Sequence, residues 1–454
     1  MIPRTLAEIA VAVGGDLADD GDVRIDRVVT DSRTAGPGAL FVALAGERLD
    51  GNAFAQDAFA RGASAALVSA PVDGGPAVRV TDTGAALLAL GADERTRMEP
   101  VTVVGVTGAN GKTSTKDLAA AVLSRSFLTH ASPASFNNEI GVPMTLLGAP
   151  VGTEVVVAEL GARHVGDVTE LCAVARPSVA VVTNVGVAHM EFFGSWEAIV
   201  GSGAEAVEAL PADGTAVLNL DDPVVRGYRD RARCRVIGTG TAPDADVRAE
   251  SVELDGEGRA SFSLVAEGSR TPVHLPMPGE HMVHNALAAA AVGLALGVEP
   301  GACAAGLDAA RISHWRMETS VTPEGVRILN DAYNANPESM AAGLRTARWI
   351  ARDARLVAVL GHMAELGPIA FEEHERVGRL AVRIGVDRLV TGGERAEVIA
   401  RAAVREGALP EDVASYADAS SAAADVRRHV RRGDVVFLKG SRVAGLERVA
   451  EALA

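Results

Sequence analysis

The run Val101-Thr102-Val103-Val104-Gly105-Val106-Thr107-Gly108-Ala109-Asn110-Gly111-Lys112-Thr113-Ser114-Thr115-Lys116 constrains the chain more than any other stretch. β-Branched residues lead into two glycines that bracket Ala109-Asn110. Lys112-Thr113 then opens a helix-forming segment, so the order strand, loop, helix is predicted. Such a loop turns tightly and aims backbone N–H groups at phosphate oxygens, while the helix behind it presents a partial positive charge at its first turn. The spacing predicts a nucleotide site with Thr107, Gly108, Ala109, Asn110, Gly111, Lys112, Thr113 and Ser114 around the phosphates. Lys112 is expected to neutralise the β- and γ-phosphates, and the Thr113 hydroxyl to ligate magnesium. Counted from Gly108 the loop is shorter than the common GxxxxGK[ST] form; counted from Gly105 it regains that spacing.

A chain of 454 residues is too long for one compact core and favours about three domains. Its net charge of −16 argues against a general nucleic-acid binder, yet leaves room for a phosphate substrate held by a few local cations. The three lysines are Lys112, Lys116 and Lys439, and two of them lie in or next to the phosphate loop. Cys172, Cys234 and Cys303 are scattered without metal-ligand spacing, as suits a reducing compartment. Met1-Ile2-Pro3-Arg4-Thr5 lacks a signal pattern, and the Ala-rich run from Ala286 to Leu296 is too short to cross a bilayer. A soluble cytoplasmic protein, with no membrane insertion, is expected.

In chain order, residues 1–97 alternate short strands and helices and read as a small α/β domain containing Asp31-Ser32-Arg33. Residues 98–311 read as a larger α/β domain opened by the phosphate loop. Within it Val155 to Gly161 is a buried-type strand that ends in Glu159, and Ser178 to Thr183 is a second that leads to His189. Acid and imidazole at the carboxyl ends of parallel strands fall where open α/β sheets bind ligands, so Thr113, Glu159 and His189 form the predicted magnesium set, although imidazole is an unusual ligand for so hard a cation. Residues 241–271 predict an antiparallel edge. Asn285, near the start of the Ala-rich helix, either caps that helix or holds a base. Residues 312–454 again alternate strands and helices, predicting a third, doubly wound domain.

These residues resemble the Mur ligases over essentially the whole chain. The phosphate loop TGANGKTST belongs to the superfamily. More specific are Asn137-Asn138-Glu139-Ile140-Gly141-Val142-Pro143, the DAYNANPESM run from Asp331, Met363-Ala364-Glu365-Leu366-Gly367, and Lys439-Gly440-Ser441-Arg442. Within the family they look most like the ligases that join D-Ala-D-Ala to UDP-N-acetylmuramoyl-tripeptide (UDP-MurNAc-tripeptide). The resemblance implies an N-terminal UDP-substrate domain, a central ATPase of the P-loop class and a C-terminal Rossmann-like domain. It further implies ATP and Mg2+ as cofactors, an acyl-phosphate intermediate and a monomer. By matching position it places Lys112, Glu159, His189 and Arg316 in catalysis; Asn285, Arg316, Asp331 and Asn334 around the nucleotide; Asp31, Ser32 and Arg33 at uridine; and Asn137 and Asn138 at the muramoyl peptide.

The chain also departs from the family pattern. Gly203 stands where the resemblance implies a carbamylated lysine that helps bind a second magnesium; either a carboxylate such as Glu205 partly replaces the carbamate, or the second metal is bound weakly. Asn52, His362 and Met282 replace a common His, acid and Asn. These departures leave open a specialised ligase with a different acyl or amine substrate, or a nucleotide-binding homologue without catalysis. Against the latter stands the full set Lys112, Thr113, Glu159, His189, Arg316 and Asp331.

Overall fold

A computed structural model describes residues 1–17, 21–46 and 49–454. Glu47 and Arg48, between the strand Ala39–Val42 and the helix Ala55–Ala60 in sequence, lie outside the described residues. The described residues form three principal sheets of five, nine and six strands, in the expected three-domain α/β organisation.

The five-stranded sheet runs Asp16–Leu17, Ala77–Arg79, Ala65–Val68, Ala39–Val42, Arg27–Val29, parallel except for its first member. The helix Thr83–Arg97 leaves this layer and packs on the helices Gly141–Gly148 and Asp167–Ala175 of the next. Leu147, with the partly buried Ile140 and Met144, joins the apolar cluster of the first domain, so the two domains share a core. A buried ion pair ties the start of the chain to that helix, Arg4 binding Asp93 and Glu94, and across the joint the Met1 ammonium donates to the Ala149 carbonyl at 3.2 Å and Arg95 to the Ala175 carbonyl at 3.0 Å.

Thr102–Thr107 sits inside the nine-stranded sheet, parallel to Val155–Glu159 on one side and Val179–Val182 on the other. Val103, Val104 and Val106 are fully buried because helices cover both faces, which is why these strands read as unbroken apolar runs. The edge is antiparallel, from Val247–Leu254 through Arg259–Ala266 to Ser269–Pro278. Here alternation replaces continuous burial, and the residues read as 241–271 extend into it.

The third sheet orders Glu318–Val321, Arg327–Asn330, Val435–Lys439, Leu356–Gly361, Arg388–Gly392 and Val413–Tyr416, parallel but for its antiparallel first strand. Its two apolar clusters draw on residues from Met317 onward, so this domain closes its own core. Polar contacts join it to the rest: Ser313 donates from N–H and hydroxyl to Asp117 at 2.7 and 2.8 Å, Trp349 donates to the Asp255 carbonyl at 3.0 Å, and Arg327 pairs with Glu257 at 3.0 Å.

Two local expectations are corrected. Asn285 does not cap the Ala-rich helix. That helix, Met282–Ala295, begins after His281, and Asn285 lies buried inside its first turn with its amide nitrogen 3.4 Å from the Met282 sulfur. Glu205 does not stand in for a carbamate. Its carboxylate accepts from the N–H groups of Gly166 and Thr169 at 2.8 and 2.9 Å and from the Thr169 hydroxyl at 3.1 Å. It thereby satisfies donors at the start of the helix Asp167–Ala175, which has no side-chain cap of its own.

Candidate active site

A single large cleft, about 1120 Å³, opens between the second and third domains at the carboxyl ends of their parallel strands. One wall is the phosphate loop. Gly111 takes φ +81°, a left-handed conformation that L side chains rarely adopt, and a Cβ there would overlap the amide oxygen of Asn285. The helix Lys112–Leu123 that follows has no side-chain cap, so its first N–H groups face the cleft uncapped.

The loop is braced from the neighbouring strand. The Ala109 N–H donates to the Asn184 carbonyl at 2.9 Å and the Asn110 N–H to the Asn184 side chain at 2.8 Å. The Thr183 hydroxyl donates to the Asn110 carbonyl at 2.6 Å. Sequence reasoning assigned nothing to Thr183 or Asn184; their role exists only once the strand Val179–Val182 lies beside the loop strand. Thr107 is buried beneath the loop and Gly108 half-buried, and neither is among the residues that line the cavity.

At the centre, the Thr113 hydroxyl donates to Glu159 at 2.8 Å and accepts from Arg316 at 2.9 Å. The other Glu159 oxygen accepts from the Asn137 amide at 2.7 Å. Asn138 turns aside to accept from the Gly141 N–H at 3.0 Å. Lys112 folds back onto the Gly108 carbonyl at 2.7 Å. Burial pushes its ammonium below the ordinary lysine range; Glu159 opposes that and Arg316 adds to it.

The third domain supplies the facing wall. Arg316 lies over the Tyr333 ring with its guanidinium carbon 4.2 Å from the centroid, and its Nε is buried without a partner. Lys439 pairs with Asp331 at 2.5 Å and donates to the Asn334 carbonyl at 3.0 Å. Burial depresses the Lys439 ammonium, with Asp331 pulling the other way. Asp331 also accepts from the Met317 N–H at 3.2 Å, fixing the segment that carries Arg316. His189 is bound through Nδ1 to Glu365, which arrives from the third domain and pairs with Arg163 at 3.2 Å. The Glu365 carboxyl is held below its usual range, chiefly by that bond and secondarily by Arg163.

The cleft therefore gathers Ala109 through Ser114, Asn137, Asn138, Glu159, His189, Asn285, Arg316, Asp331 and Asn334. Asp31, Ser32 and Arg33 lie elsewhere, at the end of the strand Arg27–Val29 in the first domain. There Asp31 caps a short helix and binds Arg33 at 2.7 Å, and the Ser32 hydroxyl donates to Asp57 at 2.8 Å. Gly203 is also outside the cleft: a Cβ on it would meet the Tyr228 hydroxyl at 2.5 Å. Among the described residues no group of three or more His, Cys, Asp or Glu is placed to hold a metal. A hydroxyl and a carboxylate, Thr113 and Glu159, do suit a cation such as magnesium that keeps its waters and completes its shell with phosphate oxygens.

Residues 24–89 match the Mur ligase family catalytic domain, 106–293 the Mur ligase middle domain and 315–442 the Mur ligase glutamate ligase domain. The chain is 42% identical over 500 residues to the UDP-N-acetylmuramoyl-tripeptide--D-alanyl-D-alanine ligase of Mycobacterium tuberculosis, covering 100% of this chain and 98% of that protein. It superposes on the crystal structure of MurF from Acinetobacter baumannii with a TM-score of 0.87 at 32% identity, over 99% and 98% of the two chains. It also superposes on the MurF ligase of Thermotoga maritima in complex with ADP, with a TM-score of 0.80 at 29% identity, over 94% and 96%. With its three domains matched in order and its length shared with these relatives, the chain belongs to the Mur ligase family.

Proposed function

We propose that this chain is an ATP-dependent ligase that joins D-Ala-D-Ala to UDP-MurNAc-tripeptide through an acyl phosphate, in peptidoglycan precursor synthesis. The observation that carries this reading is the linked set Asn137, Glu159, Thr113 and Arg316, which spans the cleft from peptide side to nucleotide side. Relatives of that name match the chain from end to end.

The reaction brings two anions together. A peptide carboxylate oxygen attacks the γ-phosphorus and ADP leaves; the amine of the dipeptide then attacks the acyl carbon, loses a proton, and phosphate leaves. Lys112 and Arg316 offset charge on the phosphates from opposite walls, and the uncapped helix start adds backbone donors. Asn285, Asp331 and Asn334 are assigned to the rest of the nucleotide. Magnesium, held by Thr113 and Glu159, would supply further neutralisation at the γ-phosphate. His189, with Nδ1 engaged by Glu365, has Nε2 left to offer a cation. Asn137 and Asn138 are assigned to the peptide carboxylate, and Asp31, Ser32 and Arg33 to the uridine end on the first domain. The third domain covers the cleft, which protects an acyl phosphate from water.

We further place the enzyme in the cytoplasm as a monomer; three unpaired cysteines support a reducing compartment, and no helix of the described residues is long and apolar enough to cross a membrane. One observation favours a second reading, a ligase with another acyl or amine substrate. Gly203 and Glu205, at the position tied to a second metal, are engaged with Tyr228 and the start of a helix instead of the cleft. Phosphate release from Mg–ATP with UDP-MurNAc-tripeptide separates the two. Release that requires D-Ala-D-Ala supports the first reading; release only with other amines supports the second.

A further inference from the structure

His189 and Glu365 are both held at positive φ, +58° and +61°, a region that a non-glycine residue keeps only where its surroundings enforce it. Here the two strained residues meet. Glu365 projects from the loop after the strand Leu356–Gly361 of the third domain and binds His189 Nδ1 on the second. Its other oxygen pairs with Arg163 at 3.2 Å, and its backbone carbonyl accepts from the Glu191 N–H at 3.1 Å. Arg163 is itself steadied over the Phe192 ring, 5.7 Å to the centroid. One residue of the third domain thus makes three bonds to a single surface of the second, spanning residues 163–191.

The chemistry of the bond is directional. A carboxylate that engages Nδ1 fixes the plane of the His189 ring, and with it the direction in which Nε2 points. A ring oriented through one nitrogen presents the other at a fixed angle, the arrangement by which carboxylates behind a histidine set its ligand geometry. Among the described residues no hydrogen bond other than that to Glu365 holds the His189 side chain.

We propose that Glu365 is a positioning residue that couples domain closure to the state of the site: only when the third domain is seated is the His189 ring held in its direction. The inference rests on the ligase reading above and adds to it a residue whose side chain acts through His189. Closure then both covers the cleft and completes it, so a nucleotide bound to an open molecule finds an unfinished site. The coupling guards against idle hydrolysis of ATP.

The test compares the wild-type chain with Glu365→Ala, Glu365→Gln and Arg163→Ala by steady-state kinetics and by hydrogen exchange read by mass spectrometry. The wild type must first turn over with both substrates; if it does not, the ligase reading fails irrespective of Glu365. Given turnover, Glu365→Ala is expected to lower kcat by about 10- to 100-fold with the KM for ATP within about threefold. Glu365→Gln, which keeps an acceptor for Nδ1, is expected to recover most of that loss. Arg163→Ala, which leaves the bond to His189, falls between the two. In Glu365→Ala the peptide covering 187–193 is expected to exchange at least about tenfold faster, while the strand Val155–Glu159 exchanges as in the wild type, which separates the effect from general unfolding. Wild-type kcat in Glu365→Ala, or unchanged exchange at 187–193, overturns the proposal.

Discussion

Lys112 illustrates how a residue prepares for a ligand. Its ammonium is withdrawn from water and spends its hydrogen bond on the Gly108 carbonyl, a neutral acceptor worth less to a cation than a phosphate oxygen. A triphosphate in the loop offers a better partner for a charge whose desolvation has already occurred on folding. Lys112→Ala is therefore expected to weaken binding of a non-hydrolysable ATP analogue by about 100-fold, from roughly 2–3 kcal/mol for a charge-assisted contact. Lys112→Arg is expected to restore little, since a planar guanidinium does not fit a cradle built for a compact ammonium. Isothermal titration calorimetry of both variants checks this. The phosphate loop could be read from sequence because its residues are adjacent in the chain and each acts through local backbone geometry. Thr183 and Asn184 could not be, because their work is done across a strand pair some seventy residues apart in sequence.

At the scale of elements the sequence was legible wherever burial sets the pattern. Parallel strands covered on both faces announce themselves as runs such as Val103–Val106 and Val155–Val157, and the antiparallel edge by its alternation. Helix beginnings were less legible. Asn285 was expected near a helix start, which in fact lies a turn earlier, because the signals for capping and for a buried amide in a first turn look alike in one dimension. Glu205 was misread for a related reason: an acid in a helix gives no sign that it will reach across to the start of another. Since its carboxylate serves two N–H groups and a hydroxyl while nearly buried, Glu205→Ala leaves those donors unpaired. The expected cost is about 1–3 kcal/mol of stability, seen as a lower urea midpoint, with the magnesium dependence of turnover unchanged. A shifted magnesium dependence would return Glu205 to the metal site.

The whole molecule divides differently from its three sheets. The first two domains share apolar surface, through Leu147, Ile140 and Met144 on one side and Ile2, Leu88 and Ala92 on the other, and Met1 and Arg95 donate across the joint to the Ala149 and Ala175 carbonyls. Among the described residues the third domain adds only Ile312, at the connection, to the second domain's apolar cluster, and is otherwise joined by polar contacts around Ser313. Apolar burial couples domains into one unfolding unit, whereas a polar interface leaves relative motion as the default. Two bodies are thus expected in calorimetry of the intact chain, one for the joined first and second domains and one for the third. A fragment of residues 1–311 is expected to unfold at the midpoint of the first transition, because it keeps that body's core entire. The cleft, however, draws Lys112 and Thr113 from one body and Arg316, Asp331 and Lys439 from the other. Nucleotide at about 100 times its dissociation constant stabilises whatever binds it by about 2.7 kcal/mol. Mg–ATP should therefore raise both transitions of the intact chain and draw them together. The fragment, stripped of the facing wall, should gain clearly less at the same concentration. An equal gain in the fragment would mean that the third domain contributes nothing to holding the nucleotide, and Arg316, Asp331 and Asn334 would lose the roles assigned to them.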